Sequence, residues 1–273
     1  MPSVAEKRAA FRALHQSGCF VVANAWDAGS AVLLQSAGMR ALASTSAGMA
    51  WGWGRPDGRV TLEEVLDHLR SLSAAVDIPL NADFENGFAH DPDGVAINVR
   101  RAADTGVAGL SIEDATQEAD NPLYDFEMAV ERISAAASAL AGTGVVLTAR
   151  SEGFIRGRPD LDETIRRLQA YAEAGADCLF APGLREEGQI AAVVQAVVPK
   201  PVNILTPGFT MSQLEGLGVR RISVGGGLAS VAYGAMLAAA RKIVADGDFS
   251  GLAAGAPGRE LNALFQAGLK PPA

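Results

Sequence analysis

Two short apolar runs in this chain end in acids: Leu80-Asn81-Ala82-Asp83-Phe84-Glu85 and Leu110-Ser111-Ile112-Glu113-Asp114. A buried strand that carries carboxylates to its tip is unfavourable unless something offsets their desolvation, and a divalent cation is the usual partner. The oxygen donors Asp83, Glu85 and Glu113 suit Mg²⁺, with Mn²⁺ as the alternative, an ion that keeps several waters and takes one or two carboxylates directly. Soft ligands are missing from the set, which argues against structural zinc. A hard cation beside a 2-oxo acid stabilises a developing enolate, the charge common to aldol-type cleavage and decarboxylation. Arg150 can grip a carboxylate bidentately, and Ser44, Thr45, Ser46 and Gly48 offer hydroxyl and N–H donors.

These groups need a framework, and the chain repeats one of about thirty residues: amphipathic helix, glycine stop, short apolar strand, polar loop. Gly38, Gly106, Gly175 and Gly218 stand where a helix C-cap favours a left-handed residue. Thr61, Asp160 and Thr210 fit helix starts. Strands are expected near 20–25, 41–45, 78–83, 109–113, 144–149, 177–181, 201–205 and 221–225. Helices are expected near 5–17, 28–37, 62–75, 93–105, 125–141, 161–174, 186–197, 211–217, 229–246 and 258–267. The strands are continuous apolar runs, as parallel strands covered on both faces require. This alternation predicts one closed (β/α)8 barrel domain over residues 1–273, with a C-terminal helical extension at 247–273.

In a barrel all strand C-termini share one face. That face gathers Asn24-Ala25-Trp26-Asp27, Ser44 to Gly48, Asp57, Asp83 with Glu85, Glu113 with Asp114, Arg150-Ser151-Glu152, Asn203 and Gly225-Gly226-Gly227. Taken singly, each has an ordinary explanation as a cap, turn or structural ion pair. Their convergence at one rim exceeds what turn formation needs.

The net charge of −8 and pI near 5.0 argue against a nucleic-acid or anionic-membrane partner. The N-terminal segment reads as lacking a signal-peptide core, and the longest apolar stretches are expected to stop short of spanning length at their Gly, Ser and charged interruptions. Cys19 and Cys178, each in an apolar run, read as thiols of a reducing cytoplasm.

With these residues in order, the chain resembles the isocitrate lyase/phosphoenolpyruvate mutase superfamily. The likeness rests on Asn24-Ala25-Trp26-Asp27, Ser44-Thr45-Ser46 with Asp57, Ala82-Asp83-Phe84-Glu85, Ser111-Ile112-Glu113-Asp114, Thr148-Ala149-Arg150, Gly175-Ala176-Asp177 and Asn203, and spans about 15–245. The resemblance implies a Mg²⁺-dependent enzyme acting on a small 2-oxo- or 2-hydroxy-carboxylate. It implies a homodimer or a dimer of dimers that exchanges a C-terminal helix, here 258–267. By the same likeness Asp83 is the direct metal ligand, and Glu85 and Glu113 act through metal-bound water. Asp57 stands near the reacting groups; Trp26, Ser44, Thr45, Ser46, Gly48, Arg150 and Asn203 contact substrate. The catalytic set so implied is Asp57, Arg150 and Glu113.

The chain departs from the lyases after the fourth strand. Where they carry Lys-Lys/Arg-Cys-Gly-His, this chain has Ala115-Thr116-Gln117-Glu118-Ala119-Asp120-Asn121-Pro122-Leu123-Tyr124. Glu118, Asp120 and Tyr124 are the alternative proton donors, and Asn121 is akin to a polar residue of the phosphonopyruvate branch. Three functions are therefore carried forward. The first is Mg²⁺-dependent C–C cleavage, the second P–C bond chemistry, and the third a carboxylate-binding homologue without turnover.

Overall fold

The computed structural model describes residues 2–116, 118–205 and 208–268. The C-terminal extension expected at 247–273 therefore lies partly outside the described residues, as does Gln117 of the loop after the fourth strand. Eight parallel strands close a barrel in sequential order: β1 Phe20–Ala25, β2 Ala41–Ser44, β3 Leu80–Asp83, β4 Gly109–Glu113, β5 Val146–Arg150, β6 Cys178–Phe180, β7 Val202–Ile204 and β8 Arg221–Ser223. β8 closes the ring on β1, with Phe20 opposite Arg221 and Val22 opposite Ser223.

The surrounding helices are α1 Val4–Leu14, α2 Ala28–Ser36, α3 Ser46–Gly52, α4 Leu62–Ala75, α5 Pro92–Ala103, α6 Phe126–Leu140, α7 Leu161–Glu173, α8 Glu187–Ala196, α9 Met211–Gly216, α10 Gly227–Asp246 and α11 Gly258–Gly268. A 3-10 turn, Ser250–Ala254, joins the last two. The local signals work as their chemistry requires. Thr61 and Thr210 close capping boxes with Glu64 and Gln213, and Asp160 caps α7 through Glu163 N. All four glycine stops are left-handed, with φ of 92° at Gly38, 91° at Gly106, 108° at Gly175 and 87° at Gly218.

Leu66, Leu69, Leu72, Leu110, Ile112, Leu147 and Leu168 bury the core that joins sheet to helices. Two features differ from the sequence expectation. α3 occupies residues read as strand end and loop, because Thr45 Oγ1 accepts from Gly48 N at 3.3 Å and starts a helix at once. α10 is long and apolar enough by length and composition to cross a bilayer, although the sequence reading had apolar stretches stopping short. It leaves Val231, Met236, Leu237 and Val244 exposed. α11 lies against α2 of the same chain, with Phe265 close to Gly29.

Candidate active site

The C-terminal tips of β3, β4 and β5 meet around one guanidinium. Arg150 Nη1 donates to Asp83 Oδ1 at 2.7 Å, its Nη2 lies 3.1 Å from Glu113 Oε2, and its Nε donates to Glu152 Oε1 at 2.9 Å. Phe180 of β6 lies against the same guanidinium, 5.2 Å from ring centroid to Cζ. Asp83 is fixed on its other side, where its Oδ2 accepts from Ser46 N at 3.0 Å and its own N–H donates to Ser44 Oγ at 2.8 Å. Arg156, from the loop after β5, donates to Glu113 Oε1 at 3.1 Å and stands 3.9 Å from Glu152 Oε2.

This crowding sets the electrostatics. Burial pushes the Glu113 carboxyl up to about 8, reinforced by Glu152 and Asp83 and opposed by Arg150 and Arg156. The Glu152 carboxyl is also raised, by burial first, with Arg150 opposing. For Arg150 burial disfavours the charge, but Glu152, Glu113 and Asp83 more than compensate and hold it firmly protonated. Glu85 takes a left-handed backbone with φ of 44°, an uncommon state for a residue with a Cβ and one that clusters at functional sites.

Two adjoining cavities open on this cluster. One, of about 160 Å³, runs into the barrel past Thr45, Ser46, Asp57, Asp83, Arg150 and Asn203. The other, of about 390 Å³, lies towards solvent and is lined by Ser46, Asp57, Glu85, Glu113, Arg150 and Arg156, among others. Asp57 is exposed in its loop and borders both.

The remaining residues expected at the site divide into two groups. Ser46, Thr45, Asp57, Asp83, Glu85, Glu113, Arg150 and Asn203 line one or both cavities. Ser44, Gly48 and Trp26 line neither and build the site from behind. Ser44 Oγ is spent on Asp83 N, and Gly48 N on Thr45 Oγ1. A Cβ at Gly48 would lie 2.7 Å from Thr45 Cγ2 and 2.8 Å from Trp26 Cβ, so this glycine answers a packing need. Asn203 is fully buried, with Oδ1 accepting from Arg221 Nε at 2.8 Å and Nδ2 donating to Ser223 Oγ at 2.9 Å.

The alternative proton donors are not brought to the cluster. Tyr124 is buried with its hydroxyl 2.9 Å from His90 Nδ1, and Glu118 and Asp120 are exposed. Among the described residues of 115–124, none lines either cavity. Asn121 lines a separate side cavity with Arg158 and Asp160. Trp51 lies against α10, and Trp53 stacks edge-to-face on His68, so neither walls the site.

Arg156, Arg221 and the structural role of Glu152 were not foreseen. Arg156 sits in a polar loop like any solvated arginine, and the only signal for Arg221 is a charge opening an apolar strand.

Among the described residues, no three His, Cys, Asp or Glu side chains converge as a ready metal cage. The donor set nonetheless fits Mg²⁺. Glu85 and Glu113 are hard oxygen donors on the roomy outer cavity, Asp83 is one on the adjoining inner cavity, and this ion needs only one or two direct carboxylates. Held in that way, the ion would displace Arg150 or Arg156 from part of their carboxylate contacts.

Comparison with known proteins identifies the lineage of a barrel whose strand tips offer carboxylates and a clamped arginine to a small cavity. The model of the phosphoenolpyruvate phosphomutase family matches residues 11–244, and the chain belongs to this family, within the isocitrate lyase/PEP mutase superfamily. It is similar to a protein of Burkholderia cenocepacia J2315 described as a lyase or mutase, 47% identical with a TM-score of 0.93, covering 96% of each chain. It is 34% identical to the 2-methylisocitrate lyase of Escherichia coli (strain K12), covering 76% of this chain and 74% of that protein. A phosphonopyruvate hydrolase solved with oxalate and Mg²⁺ is 27% identical, with a TM-score of 0.86 and coverage of 96% and 95%.

Proposed function

We propose that this protein is a Mg²⁺-dependent enzyme that cleaves a C–C bond next to a small 2-oxo or 2-hydroxy carboxylate. The observation that carries the reading is Arg150, held by Asp83, Glu113 and Glu152 at one end of a cavity sized for a few-carbon acid. A Mg²⁺ at the Asp83, Glu85 and Glu113 edge would supply positive charge to an oxygen becoming an enolate.

The chain's own groups supply orientation. Three carboxylates fix Arg150 in place before substrate arrives, so its N–H groups need little reorganisation to hold an acid group. Ser46 lines both cavities while its N–H braces Asp83. Asp57, at the mouth of both, is placed to exchange a proton between the reacting carbon side and solvent.

Carbon chemistry is preferred to P–C chemistry because Asn121, the residue akin to the phosphonopyruvate branch, faces a side cavity rather than the Arg150 cluster. The similarity to 2-methylisocitrate lyase, a higher identity than to phosphonopyruvate hydrolase, supports the same choice. Incubating the full chain and Mg²⁺ with oxaloacetate, 2-methylmalate-type hydroxy acids, acylpyruvates and phosphonopyruvate tests it. Pyruvate or another 2-oxo acid released from a carbon substrate supports the reading. Phosphate from phosphonopyruvate alone assigns P–C chemistry, and tight oxalate binding with no turnover assigns a silent carboxylate binder.

We further propose that the apolar face of α10 joins copies of this chain into a dimer or a dimer of dimers. Val231, Met236, Leu237 and Val244 are too exposed for a finished surface. Sedimentation of the full chain tests this, a monomer at micromolar concentration being the contrary result. The free thiols Cys19 and Cys178 suit the cytoplasm as its compartment.

A further inference from the structure

Interiors of (β/α)8 barrels are ordinarily filled by layers of branched aliphatic side chains. Here the inner cavity descends between Ala43, Asn81, Ser111 and Ser223, all small or polar, and reaches Arg221 on β8. Arg221 is 2% exposed. Its Nε donates to Asn203 Oδ1 at 2.8 Å, its Nη2 donates to Thr148 Oγ1 at 2.9 Å, and its Nη1 is 3.4 Å from His15 Nε2.

None of these partners carries negative charge. A guanidinium has five N–H donors, so three partners leave capacity to spare. The other buried arginines are compensated. Arg150 meets three carboxylates, and Arg167 meets Asp114 and Glu163. Arg132 has no ion pair among the described residues, but it donates to the carbonyls of Asn86, Ala89 and His90 and borders neither site cavity. Burial disfavours the Arg221 charge; the Cys178 thiol opposes this in part, and the Arg150 charge, of like sign, adds to it.

A buried cation facing only neutral groups and another cation is costly, and an anion between the two arginines would remove the cost. Ser223 Oγ accepts from Asn203 and keeps its own hydrogen to donate. Asn81 Oδ1, buried in the same cavity, accepts no hydrogen bond from the described residues and would be satisfied by a hydrated ligand.

We propose that Arg221, Asn203 and Ser223 form the floor of a second anion subsite, so that the substrate is a dicarboxylate of three or four carbons. One acid group lies at Arg150 and Ser46, and the other at Arg221. The placement of the first group rests on the function proposed above; the floor subsite stands without it.

The test is calorimetric titration of the full chain with malonate and with acetate in EDTA, alongside oxalate with Mg²⁺ on the same preparations. Wild type is expected to take up malonate without metal, and far more tightly than acetate. Arg221→Met weakens malonate binding at least tenfold, and Arg221→Lys weakens it less. Equal malonate binding by wild type and Arg221→Met, or equal binding of malonate and acetate, overturns the subsite. Malonate uptake without Mg²⁺-dependent oxalate binding removes the proposed function and leaves the subsite; the reverse pattern removes the subsite alone. Should Arg221→Met fail to fold by circular dichroism, metal-free wild-type crystals soaked in bromide decide. An anomalous peak within hydrogen-bond distance of Arg221 supports the subsite, and bromide sites elsewhere with none at the floor overturn it.

Discussion

Arg150 Nη1 donates to Asp83 Oδ1 at 2.7 Å, tying the tip of β5 to that of β3 across the intervening β4. The same guanidinium meets Glu113 and Glu152, so one cation balances three buried or half-buried acids. Removing one partner of a buried ion pair typically costs about 3–5 kcal/mol, because the other charges stay behind. Arg150→Gln is therefore expected to lower unfolding free energy by about that amount in urea titration. Added Mg²⁺ should restore more stability to the variant than to wild type, since it supplies the missing positive charge. Wild-type stability in Arg150→Gln would show that the cluster is not electrostatically tight.

Gly48 tests the rear wall. A methyl group there meets Thr45 Cγ2 at 2.7 Å and Trp26 Cβ at 2.8 Å. Gly48→Ala should destabilise by about 1–3 kcal/mol, the usual range for overpacking. It should also raise KM, because Ser46 and Thr45 shift with the start of α3. An unchanged KM with lowered Tm would confine Gly48 to packing.

Tyr124 separates a structural role from a chemical one. Its hydroxyl joins His90 and Asn86, away from Arg150. Tyr124→Phe should cost about 0.5–1.5 kcal/mol of stability, the worth of a typical hydrogen bond, and leave kcat within a few-fold. A drop of two orders of magnitude in kcat at constant KM would reinstate Tyr124 as the proton donor.

His15 governs part of the acid limb of stability. Burial, then the Arg221 charge, lowers its pKa from 6.5 to about 3 in the folded state. The unfolded state therefore binds a proton first as pH falls. Stability from this group is complete above about 6.5, declines progressively below it, and reaches its floor near 3. His15→Gln should flatten that decline in denaturant titrations between pH 6.5 and 4. An unaltered slope would place the acid sensitivity elsewhere, with His68, lowered to about 4 by burial, as the next group to replace.

Much of this was legible in the sequence. Strand order, helix caps and glycine stops are local signals, and the barrel follows from their repetition. Asp83, Glu113 and Arg150 were recognisable because acids and a base ending apolar runs have few other uses. What escaped was what depends on non-local geometry. That Ser44 Oγ accepts from Asp83 N and Gly48 N donates to Thr45 Oγ1 is visible only once β2 and β3 lie side by side. Arg221 opens a strand whose inward face is fixed by closure onto β1, so its direction could not be read from its neighbours. α3 was missed because its seven residues, Ser46–Gly52, are too short to show a helical period.

The central claim is a hard cation at the carboxylate rim acting with Arg150 on a small acid. Calorimetric titration of Mg²⁺ into the full chain, with and without oxalate, tests it most directly. The account predicts one saturable site per chain, strengthened by oxalate and abolished by Asp83→Asn. No uptake under either condition, or uptake undiminished in Asp83→Asn, would contradict it.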